Sequence, residues 1–534
     1  MRGWKWGLAA QFVGLALATA MAQLPNCPLR PDPGSVVLDP QSLSSQSGSL
    51  ELSLVMQNGV DAAGYGHYCY NYSTSNGIVE APTLRLNPGD TLTLNLTNKL
   101  TATLPAGAQR VPSMKDMDMS APIPANPCQG GPVTLNTTNV HFHGLNVPPV
   151  CHQDEVVNTL IQPGTPSFQY KVQIPPDEPP GLYWYHPHPH GFSTLQVNGG
   201  ATGAIIINGI EKIKPQVAGL TERVLIIRQQ FLNPLAWVPG AYQLTLNFQP
   251  ALAPLSHSPI IQMKPGERQF WRVANSTSQA FLALQLLFAG KAQNLELISL
   301  DGVPVAGDPI KTTIDLPPAG RAEFIVTGPP AGSKGVFITA GFDTGPVGNP
   351  NNAQVLADIV ATTAAIQGSP TVTPSAPVPV VTQRFSGLAA IKPTSQRKLY
   401  FAEAPLGTNP PVNFFLVVDG QQPRLFHAND APAIVTNVGA VEDWTIENRT
   451  SEEHAFHMHQ IHFLVTAIDG IPVTNPDLQD TVNVPFWSGS GPFHKVTVRM
   501  DFRDPNIAGT FVFHCHVLFH EDGGMMGKIL VKAH

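Results

Sequence analysis

Pro82-Thr-Leu-Arg-Leu-Asn-Pro-Gly-Asp90 returns twice with altered side chains, as Pro259-Ile-Ile-Gln-Met-Lys-Pro-Gly-Glu267 and as Pro432-Ala-Ile-Val-Thr-Asn-Val-Gly-Ala440. Each copy runs on to an asparagine nine positions after its glycine: Gly89 to Asn98, Gly266 to Asn275, Gly439 to Asn448. The glycines lie 177 and 173 positions apart. Solenoid repeats recur every 20 to 50 residues or so, and a period this long means three homologous domains of ordinary size. After the first copy, Thr91-Leu92-Thr93-Leu94-Asn95-Leu96 alternates polar and apolar residues, which is the period of a half-buried strand. Short alternating segments separated by Pro and Gly, without long amphipathic helical runs, predict an all-β chain of three β-sandwich domains. They are placed at 35-210, 220-362 and 397-534. The stretch 363-396 between the last two includes Gln367-Gly-Ser-Pro-Thr-Val-Thr-Pro-Ser-Ala-Pro-Val-Pro and reads as an extended linker.

Composition agrees. Pro (53) and Gly (46) make up close to a fifth of 534 residues, against roughly 12% in average chains, which indicates many turns. Hydrophobic content is an ordinary 43%, enough for packed cores. Charged residues are 13% and net charge is −7, so no basic stripe offers itself to nucleic acid or an anionic membrane. The N-terminus has basic residues, an apolar run from about Gly7 to Met21, and Ala20-Met21-Ala22, the pattern of a signal peptide over 1-22. No later apolar run nears the roughly 20 residues of a membrane helix. The expectation is a secreted or periplasmic protein without stable membrane insertion. No twin-Arg pair precedes the apolar run, which favours export unfolded and metal loading outside the cytoplasm. Of five cysteines, four suit disulfides in an oxidising compartment. Cys128 with Cys151 would close a local loop and leave Cys27 with Cys69; two other pairings are open. A disulfide is the preferred use of Cys151, although His152 beside it also suits a metal.

Cys515 stands apart, because it lies between two histidines. Most of the 18 histidines crowd into four clusters: His141-Phe-His143, His186-Pro-His188-Pro-His190, His454-Ala-Phe-His457-Met-His459, and His514-Cys515-His516 followed by His520. On a strand, alternate residues share a face, so a His-x-His pair aims two imidazoles at one point. Val140 and Phe142 should then enter a core while His141 and His143 leave it. Cys515 should join Phe513 on the face opposite His514 and His516, and one strand would touch two metal sites. For Cys515 the partners are His454, His520 and Met525, and two imidazoles, a thiolate and a weak axial thioether suit an electron-transfer copper better than zinc. Met526 is the alternative axial residue, disfavoured because it should point away from Met525. The remaining eight, His141, His143, His186, His188, His457, His459, His514 and His516, suit a cluster of metals shared between the first and third domains. The second domain holds only His257 and is expected to act as a spacer.

These four motifs, in this order, resemble those of the multicopper oxidases, a family that includes laccases and bacterial copper-efflux oxidases. The resemblance covers nearly all of the mature chain. It implies three cupredoxin-like Greek-key β-sandwiches and four copper ions, one type 1, one type 2 and a type 3 pair. Carried over by motif, His454, Cys515, His520 and Met525 resemble the type 1 ligands. His141 and His457 resemble the type 2 ligands, and His143, His186, His188, His459, His514 and His516 the type 3 ligands. The implied reaction is four one-electron oxidations of a small reducing substrate coupled to reduction of O2 to water. Asp154 and Glu521 resemble the family's proton-delivering acids. Two departures stand out: Glu155 follows Asp154 where the family commonly has Gly, and Ala455 follows His454 where Pro is frequent. His190 and His462 match no ligand position.

Phenols and aromatic amines are the leading substrate class implied by the resemblance. Oxidation of Cu(I) or Fe(II) is the alternative, drawn from the thioethers of Met114, Met117 and Met119. A non-enzymatic copper-binding protein is a third reading, weakened by the complete ligand set. Asn71, Asn95, Asn136, Asn275 and Asn448 each begin an Asn-x-Ser/Thr sequence.

Overall fold

The computed structural model describes residues 27–60, 66–101, 122–231, 242–251, 257–363, 371–372, 384–405 and 413–533. The signal-peptide segment, Met114, Met117 and Met119, and most of the Gln367 connector lie outside the described residues.

Six sheets pair into three sandwiches, each around its own apolar core. The alternation after Gly89 works as the sequence predicts: along Thr91–Asn98, Leu92, Leu94 and Leu96 are fully buried and the intervening residues half-exposed. Each such leucine contributes about 1.5–3 kcal/mol relative to exposure. The repeat has one structural meaning in all three copies. Its first strand runs parallel to the last strand of its own sandwich: Thr83–Leu86 beside Gly203–Ile207, Ile260–Met263 beside Gln354–Ala361, Ile434–Asn437 beside Met526–Lys532. The chain then turns at a glycine with φ of 90°, 67° or 94°, a conformation that penalises any Cβ. It crosses to the other sheet, where Thr91–Asn98 lies parallel to Ser49–Val60, Arg268–Asn275 to Thr221–Phe231, and Ala440–Asn448 to Ser395–Ala404. This sheet-switching path is that of cupredoxin-like Greek-key sandwiches.

The asparagine that ends each repeat is a bracket. Its buried amide donates to carbonyls of adjoining and distant loops: Asn98 to Asn136 and Ile161, Asn275 to Ala280, Leu316 and Pro317, Asn448 to Glu452 and Val484. Its Oδ1 accepts the backbone N–H two residues on, from Leu100, Thr277 or Thr450. Buried carbonyls need such partners. Asn275 and Asn448 are therefore wholly enclosed, and their Asn-x-Thr sequences serve the fold.

Cys27 is bonded to Cys69 and Cys128 to Cys151, while Cys515 is free and buried. Leu182, Ala204 and Ile206 of the first sandwich pack on Val224, Ile226 and Ala274 of the second. First and third are joined by Asp522, whose carboxylate accepts the backbone N–H groups of Gly191, Ser193 and Thr194 at the start of the short helix Ser193–Asn198. No described helix is long and apolar enough to cross a membrane.

Candidate metal centre

His141–His143 is an edge strand of the first sandwich, paired antiparallel with Gly181–His186 so that His141 faces His186 across the ladder. In the third sandwich His454–Met458 pairs with Gly509–Cys515, and His457 faces His514. Val140 and Phe142 enter the first core, and Phe513 and Cys515 the third, so the histidines flanking them turn outward toward each other. Rings from the two sandwiches interleave: His141 stacks on His459 at 3.8 Å, and His143 on His457 at 4.0 Å.

The nitrogens converge in threes. His143, His186 and His516 form one group, His188, His459 and His514 a second, and His141 and His457 share a third with His143. In the second group, Nε2 of His514 lies 3.3 Å from that of His188 and 3.1 Å from that of His459. Burial is the first cause that pushes all eight imidazoles toward the neutral form, His188 down to about 3 and His457 to about 4, and their mutual proximity adds to it. Neutral imidazole is the ligating form. The outer nitrogens are held by oxygens, as metal-binding histidines require. Nδ1 of His141 lies 3.0 Å from both oxygens of Asp154, and Nδ1 of His186, His457 and His514 face the carbonyls of Pro187, Asp480 and Cys515. That leaves Nε2 of His141, His186 and His457 buried without a hydrogen-bond partner. His143 is reversed: Nε2 lies 3.2 Å from Asp480 Oδ1, and Nδ1 is the unpartnered atom. Orphaned lone pairs converging from two sandwiches are what a bound metal cluster satisfies, so this residue set fits copper.

On the other face of the Cys515 strand, Sγ lies 3.5 Å from His454 Nδ1 and 3.7 Å from His520 Nδ1, which are 3.1 Å from each other. Met525 is fully buried beside them, and its carbonyl accepts the Cys515 N–H. The thiolate and two Nδ1 atoms fit a single copper, and Met525 in the same core is the residue to supply a weak thioether. Nε2 of each imidazole points away, His454 to Thr450 Oγ1 at 2.9 Å and Glu403 Oε1 at 3.4 Å, His520 to Glu452 Oε1 at 3.1 Å. Burial pushes His520 down, but the Glu452 carboxylate and the Cys515 sulfur together outweigh it and lift the ring to about 9. His520 Nδ1 would hold a copper in place of its proton, leaving Nε2–H to donate to Glu452.

Asp154 is buried against His141 and accepts the N–H of Phe142 and the amide of Gln460. Burial raises its carboxyl to about 8 despite those donors. Glu521 is raised well above its usual range by burial and by Asp522, and accepts from Ser193 Oγ at 3.1 Å. It lies 3.6 Å from His188 and 3.4 Å from His514. His190 stays outside the clusters against Phe426, and His462, fully buried, contacts Asp301 O at 2.8 Å. Glu403, Glu452, Asp480, Asn139 and Gln460 carry no sequence signal, being single polar residues outside any cluster. Asp480 is buried under the cluster; burial pushes its carboxyl up, and Arg321 together with His462 and His457 more than reverses this.

Two family models described as multicopper oxidase match residues 133–212 and 402–534. A multicopper oxidase of Staphylococcus aureus is 23% identical over 505 residues, 93% of this chain and 91% of the relative. A laccase of Haloferax volcanii is 24% identical over 434 residues, 76% of this chain and 69% of its own. In three dimensions, a Campylobacter jejuni multicopper oxidase described as a metallo-oxidase superposes with a TM-score of 0.66 at 22% identity, covering 94% of this chain and 96% of its own. With two matching domain models, relatives aligned along most of its length and the shared three-sandwich fold, the chain carries multicopper oxidase domains, and the relatives it resembles are copper-dependent oxidoreductases that use O2 as acceptor.

Proposed function

We propose that the protein is an exported, laccase-like oxidase of phenols and aromatic amines that holds four coppers. His454, Cys515, His520 and Met525 would hold the type 1 ion, His141 and His457 the type 2 ion. One type 3 ion would sit on His143, His186 and His516, and the other on His188, His459 and His514. Copper bound in these places supplies one-electron oxidation of substrate and the four-electron reduction of O2 to water. The observation that carries the reading is the position of Cys515, whose side chain groups with His454 and His520 while its covalent neighbours join the histidine cluster, His516 with His143 and His186, and His514 with His188 and His459.

Each protein group then has a task. The peptide from Cys515 to its neighbours is a covalent path between the two sites. Asp154 orients His141 through Nδ1 and, carrying a proton at neutral pH, can release it toward the cluster. Glu521 can do the same beside His188 and His514 from its place under Ser193. The two disulfides support export, in keeping with the signal-peptide pattern.

Reconstitution with copper and measurement of O2 uptake with a phenolic dye tests the reading; no uptake with the dye or with Cu(I) refutes it. Cys515→Ser is expected to abolish the intense blue absorption of a thiolate–copper site. Persistence of that band refutes the assignment.

Oxidation of Cu(I) or Fe(II) is a second reading, favoured by one observation. Glu403 and Glu452, both nearly buried, stand against the outward edges of His454 and His520, where a metal-ion donor would meet carboxylate oxygens next to the imidazoles. A related chain of Gibberella zeae is described as an iron transport multicopper oxidase, 27% identical over 222 residues. Activity with a metal ion and none with the dye selects this reading.

A further inference from the structure

The second sandwich supplies no histidine to the clusters among the described residues, yet it reaches toward them through Arg321 and its neighbour Asp301. Arg321 opens the strand Arg321–Thr327 and is fully buried. Its guanidinium forms a two-pronged pair with Asp480 of the third sandwich, Nη1 to Oδ1 at 2.8 Å and Nη2 to Oδ2 at 2.5 Å. The remaining donors go to carbonyls: Nη2 to Asp301 at 2.9 Å, Nη1 to Ala319 at 3.1 Å, Nε to Leu182 of the first sandwich at 3.3 Å. Asp301 closes the arrangement, its Oδ1 accepting the Arg321 N–H and its Oδ2 the N–H groups of Asp480 and Thr481.

Asp480 in turn grips one histidine from each side of the junction. Its Oδ1 lies 3.2 Å from His143 Nε2, and its carbonyl accepts from His457 Nδ1 at 2.8 Å. Each contact selects a tautomer: the proton sits on the nitrogen facing Asp480, and the lone pair remains on the unpartnered nitrogen, Nδ1 of His143 and Nε2 of His457. The fit is tight. A Cβ placed on Gly144, directly after His143 and at φ +88°, would lie 2.6 Å from Arg321 Nη2 and 2.8 Å from Asp480 Oδ2.

We infer that Arg321 is a positioning residue for the histidine cluster, fixing His143 and His457 through Asp480, so that the second sandwich governs the type 2 end of the site. Only a planar fork can hold both oxygens of Asp480 and leave Oδ1 aimed at His143; a lysine ammonium at this position keeps the charge and loses the geometry. The inference rests on the ligand roles proposed above for His143 and His457.

The test compares copper-loaded wild type with Arg321→Lys, Arg321→Gln, Asp480→Asn and the Arg321→Gln/Asp480→Asn double variant. The readouts are copper content, the electron paramagnetic resonance of the type 2 ion, chelator competition, and the blue absorption at Cys515 as an internal control. Arg321→Lys is expected to keep the blue band while its type 2 resonance is lost or its hyperfine splitting changes. Copper affinity at the cluster should fall about 10- to 100-fold, as when a group supporting a ligand is removed. The double variant should be no worse than the worse single one, because both changes break one relay. If Arg321→Gln does not fold, Arg321→Lys carries the test. A wild-type resonance and affinity in Arg321→Lys overturns the inference alone, as does loss of blue band and type 2 signal together. Wild-type protein with no type 2 resonance overturns the ligand roles as well, and is recognised before any variant is made.

Discussion

The imidazole of His141, on an edge strand of the first sandwich, lies flat on that of His459 in the third, 3.8 Å between centroids and 15° between planes. Two residues 318 positions apart thus share one van der Waals contact, and the sites they belong to exist only while both sandwiches are docked.

Metal removal should therefore loosen the junction. Copper that binds the docked form alone stabilises it by about 4 kcal/mol at roughly a thousandfold excess over its Kd. Calorimetry of chelator-treated and copper-loaded protein should show a lower Tm without copper. Equal Tm values would mean that the cluster does not bridge the sandwiches.

Asp154→Asn keeps the shape against His141 and Phe142 but has no proton to give. O2 turnover should fall by about 100- to 10,000-fold, the usual contribution of a positioned acid. Reduction of the blue absorption by substrate under anaerobic conditions should proceed at the wild-type rate. A slowed reduction would place the defect at Cys515 instead.

Asn139→Ala removes the amide that donates to the carbonyls of Val156 and Thr159 and whose oxygen accepts the His188 N–H at 2.7 Å. The stranded backbone groups should cost about 1–3 kcal/mol each at most. With His188 released, copper content should also fall. A destabilised variant with full copper would show that His188 is held by other means.

Glu178 gives a pH dependence away from the clusters. It is buried with Asn146 donating to it, and burial raises its carboxyl to about 7 in spite of Arg384. An acid with a raised folded-state value contributes fully below the unfolded value, here 4.5, and loses that contribution as pH rises through 7. Wild-type stability should decline between these limits, and Glu178→Gln should flatten that part of the profile by up to about 3 kcal/mol. Parallel denaturant titrations at pH 5 and 8 decide it; identical slopes for both proteins would dismiss the claim.

The ligand-type residues could be read in advance because histidine is scarce and strand geometry has a period of two. His141 with His143, and His514 with His516, announce a shared face, and Cys515 between them announces the opposite one. The repeat ending at Asn98, Asn275 and Asn448 is legible for a similar reason, since a fixed spacing survives where side chains change. What escaped is whatever depends on docking. Arg321 and Asp480 are 159 positions apart, each an ordinary charged residue with nothing periodic around it, and their pairing exists only once the second and third sandwiches meet. The same holds for Glu403 and Glu452 beside His454 and His520. The second domain, expected to be a spacer because it holds only His257, reaches the cluster through a residue type that no count of histidines would reveal.

The asparagine brackets bear on where this chain can be made. A cell that attaches glycans to Asn-x-Ser/Thr as the polypeptide emerges meets Asn275-Ser-Thr277 and Asn448-Arg-Thr450 before either side chain is enclosed. A sugar there would replace the amide protons that hold Ala280, Leu316 and Pro317, or Glu452 and Val484, and would need room where the sandwiches have none. Production in a glycosylating secretory host therefore depends on those two sequences escaping modification, whereas a host without that machinery imposes no such condition.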